Sequence, residues 1–339
     1  MLTRKSVILA KLESVYDTDP VPTGASNAIL VSAPEVRVDG ELLTRDYVRE
    51  SLSSIGHIVG KKKVMVTFET EFKKSSAAGT APEVGALYQA CGLKETITGG
   101  TSAVYAPESD STAVKSATLY VYFDGMLHRV TGCRGNFSFN CEAGGLPKLS
   151  WSFEGKYNKP EDALLPATTF DGVTPDTVVS ANFTVDSYAA VINALTFDLG
   201  NTIGAPGNVN SSDGYGELRI TARDAQGSID PESITIATQQ ANMTADYWAD
   251  WANADGRAIS IQIGDGDAVT VSIPNAIYRE IGYGDREGVR TYQMPFSAAE
   301  TGSHNDEITI TYSYVPSSSA SASASSSVSS SPSSSPSAS

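Results

Sequence analysis

The chain of 339 residues has three cysteines, three histidines and three tryptophans, and these scarcities remove whole classes of function. Cys91, Cys133 and Cys141 are odd in number and form no C-x-x-C pair, which argues against a zinc knuckle, a redox dithiol or a disulfide framework. Cys133 and Cys141 are spaced to meet across a strand pair, but three small core thiols are the expectation. His57, His128 and His304 are too dispersed for a metal or catalytic cluster, and surface positions are expected for all three. No run of 18 apolar residues occurs, so no membrane-spanning helix and no membrane partner are expected. The apolar stretch 7–10, closed by Lys11, is too short for the core of a secretory signal.

Chemical motifs are missing as well. There is no G-x-S-x-G elbow, no Walker loop and no G-x-G-x-x-G between a strand and a helix. Asp265-Gly266-Asp267 begins like a calcium loop but lacks the third acidic position and the closing Glu, so a turn is the expectation. The catalytic, metal and cofactor sets are therefore expected to be empty, and the chain is read as a non-enzyme.

Positive charge is scarce in one half only. Residues 1–170 hold 18 Lys plus Arg against 19 Asp plus Glu, whereas residues 171–339 hold 6 against 20 and no Lys. Such an acidic half is unsuited to gripping a nucleic-acid backbone, which demands cationic phosphate contacts, but it suits a surface that DNA passes without sticking. The last 24 residues contain 16 Ser, 4 Ala, 3 Pro and 1 Val, a composition that buries no core and predicts a flexible tail at 316–339.

What the chain does have is alternation, stated twice. Leu119, Val121 and Phe123 precede an Asp124-Gly125 turn into Met126 to Val130; Ile259, Ile261 and Ile263 precede Asp265-Gly266 and a return through Val269, Val271 and Ile273. Period-two apolar spacing around Asp-Gly predicts a β-hairpin in each case. Two further strands are expected after each hairpin, with Trp151 and Tyr292 in matching places. One short helix is expected before each. Val84, Leu87, Tyr88 and Cys91 share a helical face between Pro82 and Gly92; Tyr247 and Trp251 do so after Thr244 as cap and before Gly256. The repetition argues for a duplicated domain. Val66 matches Leu218 at an offset of 152, whereas Asp124 and Asp265 are 141 apart, so an insertion is expected in the first copy within 94–116.

Two stretches carry a family resemblance. Residues 9–31, LAKLESVYDTDPVPTGASNAILV, and residues 195–201 with 216–229, LTFDLGN and GELRITARDAQGSI, resemble tail tube proteins of long, non-contractile-tailed bacteriophages. The likeness extends over about residues 5–313. It implies a mainly β fold: two tandem β-sandwich or barrel domains, 1–170 and 171–315, each with a short flanking α-helix. It also implies a virion protein that assembles in the host cytoplasm. Rings of this chain would stack around a channel for the tape-measure protein and then DNA, which is not bound specifically, and would meet tail terminator and tail tip proteins at the ends. With two tube domains per chain, trimeric rings are favoured and hexameric rings are the alternative.

The subunit-contact candidates lie on and beside the long connection 38–60, a length typical of a binding segment: Tyr47, Arg49 and His57, then the lysines Lys61, Lys62 and Lys63. These lysines, joined by Lys73 and Lys74, read either as a solvated strand edge that discourages mispairing or as a contact matched to acidic residues of the second copy. A secreted or surface-displayed β-sandwich binding module is the competing reading, favoured by the tyrosines and the Ser-rich tail and opposed by the missing signal segment.

Overall fold

The computed structural model describes residues 2 and 4–314, so the serine-rich stretch 316–339 lies outside the described residues. The first half runs β1 (Ser6–Leu12), α1 (Gly24–Asn27), β2 (Ala28–Ile29), β3 (Ser32–Leu43), β4 (Ile58–Glu71), α2 (Gly85–Ala90), β5 (Leu93–Thr98) and β6 (Ser102–Pro107). It continues with β7 (Ala117–Phe123), β8 (Met126–Glu142), β9 (Lys148–Tyr157) and β10 (Glu161–Asp162). The second half opens with β11 (Thr184–Val185), β12 (Ala194–Asp198), β13 (Asn201–Gly204), β14 (Arg219–Arg223) and β15 (Gln226–Ile229). After α3 (Ile236–Asn242) and α4 (Tyr247–Asn253) come β16 (Arg257–Ile263), β17 (Ala268–Tyr278), β18 (Gly282–Arg286), β19 (Val289–Ala298) and β20 (Thr309–Ser313). The protein is mainly β, as its alternation predicts.

One order of antiparallel pairing occurs in both halves: β1–β7–β8–β9–β4–β3 in the first and β11–β16–β17–β19–β15–β12 in the second. The Asp124-Gly125 hairpin pairs Phe123 with Met126, while Ile263 pairs with Val269 across a wider loop that holds Asp265-Gly266. Both hairpins carry a bulge at the same place, between Ala117 and Leu119 in one and between Arg257 and Ile259 in the other. Gly132 fills the first bulge at φ 62, where a Cβ would meet the Tyr16 ring at 2.8 Å. The insertion between helix and hairpin is the β5–β6 pair with the 108–116 loop; α4 reaches β16 within three residues.

The register corrects two of the sequence matches. Phe153 faces Val66 and Phe296 faces Gly227, while Trp151 faces Phe68 and Met294 faces Ile229. Trp151 therefore corresponds to Met294 rather than Tyr292, and Val66 to Gly227 rather than Leu218. The second hairpin loop, 264–268 against 124–125, moves the offset from 140 to 143, so the Trp151 match at 141 is two residues out, a slip that keeps every side chain on its face and that alternation alone does not detect; the Val66 match is nine residues out.

The return strands are longer than their sequence signals. Met126 to Val130 and Phe137 to Cys141 form a single 17-residue β8. β7 is buried on both faces, because Tyr120 and Tyr122 pack with Leu9, Ala28 and Leu127 in a small second cluster. α2 ends as expected, with Gly92 at φ 80 just past Cys91. α4 differs at both ends. Asp246, not Thr244, caps it by accepting from Ala249 N–H at 2.9 Å, while the Thr244 hydroxyl donates to Asp186 at 2.7 Å. Ala254, at φ 56, closes it ahead of Gly256.

The two halves share one core and two sheet joints. β8 continues past its partner β7 to pair with β12, Phe139 opposite Phe197, and β6 pairs with β20, Tyr105 opposite Ile310. Rings from both halves meet in the middle: Tyr88, Tyr105, Phe137, Trp151 and Tyr312 lie within 4.9–6.4 Å of a neighbour's centroid. The buried Tyr88 and Tyr312 hydroxyls hydrogen-bond at 3.0 Å. Edge-to-face and tilted packing of this kind adds directional preference to apolar burial.

Candidate assembly surfaces

The β3–β4 hairpin projects from the body as an arm. Its strands extend further than the sequence indicates, leaving 44–57 as the connecting loop rather than 38–60. Apolar side chains on it face solvent: Leu42, Leu43, Tyr47, Val48, Leu52, Ile58 and Val59 are exposed, Val48 and Leu52 completely. Among the described residues nothing covers this apolar group. Tyr47 lies under the Arg45 guanidinium at 5.8 Å, Arg49 donates to the Ser53 carbonyl, and His57 is exposed. The first three sequence candidates thus fall together on the arm's loop.

Lys61, Lys62 and Lys63 fall at its base, where they meet other parts of the chain. Lys63 pairs with Glu154 at 2.9 Å, Lys62 lies over the Tyr157 ring at 5.6 Å and Lys61 over Tyr215 at 5.6 Å. Asp213, an acidic residue of the second half, accepts from Lys62 N–H through its carbonyl at 3.0 Å. Lys73 is buried against Glu83 at 2.8 Å and Lys74 pairs with Asp176 at 3.7 Å.

The sequence gives no sign of Lys156, which is the centre of this junction. Its ammonium is buried and donates to Asp213 Oδ1 at 3.2 Å, Ser211 Oγ at 3.2 Å and the Tyr215 carbonyl at 2.5 Å. The 205–218 loop is thereby folded against the first half. Arg134–Glu217 at 2.9 Å and the Leu218 N–H donating to Tyr16 Oη at 2.8 Å extend the same seam. Burial holds the Tyr16 phenol far above its ordinary pKa, so it remains protonated.

A second polar centre holds the N-terminal segment. Glu13 is buried and its carboxylate accepts from Ser116 Oγ at 2.6 Å, Thr118 Oγ1 at 2.7 Å, Gly132 N–H at 2.7 Å and Asp17 N–H at 2.8 Å. Four donors on one carboxylate match its acceptor capacity. The arrangement is structural, since all four donors belong to the chain and fix the N-terminal segment to β7 and β8.

Several concave surfaces lie among the described residues. One, of about 450 Å³, is an open trough lined by Ser138, Thr196, Asp198, Gln226 and Arg279 without an adjacent nucleophile and base. Among the described residues no group of three or more His, Cys, Asp or Glu is placed to hold a metal ion. Cys91, Cys133 and Cys141 are buried free thiols. His128 is half-buried rather than fully on the surface, 5.7 Å from the Phe123 ring, and burial lowers its pKa. No helix of the described residues is long and apolar enough to cross a membrane.

Strand edges are the remaining features. Among the described residues β3 is paired only through β4, and β18 only through β19, so each carries one row of backbone groups with no strand beside it there. A family model described as phage tail tube protein matches residues 3–316, nearly the entire chain. No curated protein matches it.

Proposed function

Since the chain belongs to the phage tail tube protein family, and is thus a structural subunit of the tail tube, we propose that its copies close into rings that stack into a tube around a channel. Each half, 1–170 and 171–315, acts as one tube domain, and three copies complete a pseudo-sixfold ring; six copies are the alternative. The observation that carries this reading is the pairing order found in both halves, joined edge to edge through β8 and β12. A unit that already joins its own halves side by side has the geometry to continue around a circle.

Closed cyclic symmetry uses up lateral edges, whereas an axial contact repeats without limit. We assign the axial contact to the arm, with its exposed Val48, Leu52 and Tyr47, and with Arg49 and His57 beside them. The acidic second half favours a channel wall that repels phosphate, so that the tape-measure protein and then DNA pass without being held. Terminator and tip proteins would cap the two ends, assembly would take place in the host cytoplasm, and the chain would perform no catalysis.

Negative-stain microscopy of the purified protein tests the proposal. Rings or tubes are the expected particles, with class averages reporting the copy number. Dispersed globules that stay monomeric across concentration and salt would overturn it.

A further inference from the structure

The joint inside the chain predicts the joint between chains. At the internal joint β12 lies against the free end of β8, Leu195 opposite Cys141, Phe197 opposite Phe139 and Asp198 opposite Ser138. Phe139 and Phe197 stack across it with centroids 5.3 Å apart and planes at 18°. The equivalent positions elsewhere in the fold follow from the registers. β12 stands to β15 as β3 stands to β4, so Phe197, opposite Gly227, corresponds to Val36, opposite Val66. Past Tyr278, β17 continues into β18 along β19; Gly282 opposite Gln293 corresponds to Ser138 opposite Ser150, and Tyr283 to Phe139.

Among the described residues these two equivalents are paired on one side only. β18 has five residues, matching the five pairs of the internal joint, and its free edge presents Tyr283, 57% exposed and flanked by Gly282 and Gly284. β3 presents Val36 between the exposed charges of Glu35 and Arg37. An aromatic between two small residues thus faces an apolar residue between two polar ones, the pattern of Ser138-Phe139-Asn140 against Thr196-Phe197-Asp198.

We propose that β18 of one copy pairs antiparallel with β3 of a second copy of this chain, Tyr283 opposite Val36, extending the sheet from subunit to subunit as β8–β12 extends it within one. The contact is head-to-tail, because each copy offers β18 on one side and β3 on the other. Backbone hydrogen bonds supply the general affinity of strand addition, and Tyr283 on Val36 fixes the register. The assignment rests on the ring reading above but names the contact that closes it.

Cysteine pairing tests it, because the three native thiols are buried. Val36→Cys and Tyr283→Cys chains are prepared separately, mixed, assembled, oxidised mildly and run without reductant, while micrographs are taken of the same sample. Directly opposed residues lie within disulfide reach, and a diagonal pair two residues away does not. A reducible species of doubled mass is expected from the mixture, none from either variant alone, and none when Val38→Cys replaces Val36→Cys. Rings or tubes without the doubled species, or equal yield from the Val38→Cys mixture, would overturn the joint and leave the tube standing. A sample with neither assemblies nor cross-links would overturn both.

Discussion

Removal of the Asp213 carboxylate, as Asp213→Ala, is expected to destabilise the subunit more than any exposed charge deletion on it. Lys156 and Asp213 are both buried and 3.2 Å apart, and they join the first half to the 205–218 loop. At an effective dielectric near 20 their gross attraction is about 5 kcal/mol. The substitution leaves the Lys156 ammonium with two neutral partners, Ser211 Oγ and the Tyr215 carbonyl. Breaking one side of such a pair costs roughly 3–5 kcal/mol, against about 0–1 for a surface pair such as Lys148–Glu69. For a chain of this size that is a fall in melting temperature of roughly 4–7 °C. If the loop swings out to hydrate Lys156, the loss is capped at the cost of that opening and appears as protease cleavage within 205–218. The double substitution Lys156→Met with Asp213→Leu removes both charges together, and it also removes the orphan Asp213 Oδ2, which has no hydrogen-bond partner. It is expected to recover most of the lost stability. Thermal melts of the two single variants and the double variant form the cycle. A single variant that loses less than about 1 kcal/mol, with unchanged proteolysis, would refute the claim that this buried charge depends on its partner.

The other expectations follow from the same geometry. Glu13→Ala strands four donors, two of them backbone N–H groups, and is expected to cost about 3 kcal/mol or more in urea unfolding, with Glu13→Gln recovering only part because its amide accepts through one oxygen. Burial lowers the His128 pKa below its ordinary value, so the unfolded chain binds that proton first; stability falls as pH drops through about 6.5 toward the folded value, and His128→Gln flattens that part of a stability-against-pH curve. His304 has the opposite sign: its hydrogen bond to Glu300 at 2.6 Å raises its pKa, so its small contribution is complete below about 6.5 and is lost as pH rises through the folded value, which an NMR titration reads directly. Burial pushes the Cys141 thiol up to about 12 and raises the Cys91 and Cys133 thiols well above the ordinary value, so a thiol reagent at neutral pH is expected to label none of the three until denaturant is added; rapid labelling of the native protein would contradict their placement.

The elements that the sequence reveals are those whose cause is local. Asp124-Gly125 between alternating runs is itself a hairpin, and Pro82, the 84–91 face and Gly92 are themselves a helix, so both stand where the pattern puts them. Errors arise where distant parts of the chain decide. Asp246 rather than Thr244 caps α4, because Thr244 is drawn to Asp186, 58 residues away. Trp151 aligns with Tyr292 in the sequence because a two-residue slip leaves a period-two pattern unchanged. Lys61 to Lys63 read either as a solvated strand edge or as a contact with acidic residues of the second copy; within the chain Lys63 pairs with Glu154, and the Lys62 N–H donates to the Asp213 carbonyl of a loop whose fold has no local signature. Lys156 passed unnoticed, since nothing distinguishes a lysine in a β9 pattern from the exposed Lys148 of the same strand until the strand's neighbours are known.

The same division between local and distant causes explains why the halves are legible while their joint is not. A hairpin's register is fixed by its turn, but an edge accepts any strand of suitable length and face, and selection among candidates falls to the side chains that meet there. Phe139 and Phe197 make that choice inside the chain, 58 residues apart and without a turn between them. Val36 and Tyr283 occupy the corresponding edges, with no further strand against either among the described residues. If the duplication kept edge geometry while the side chains diverged, the internal stack of two phenylalanines holds a permanent joint and the weaker Tyr–Val contact a reversible one. Subunits that fold alone and join afterwards require that ordering, because an intermolecular edge as adhesive as the internal one would pair in any copy number before a ring could close.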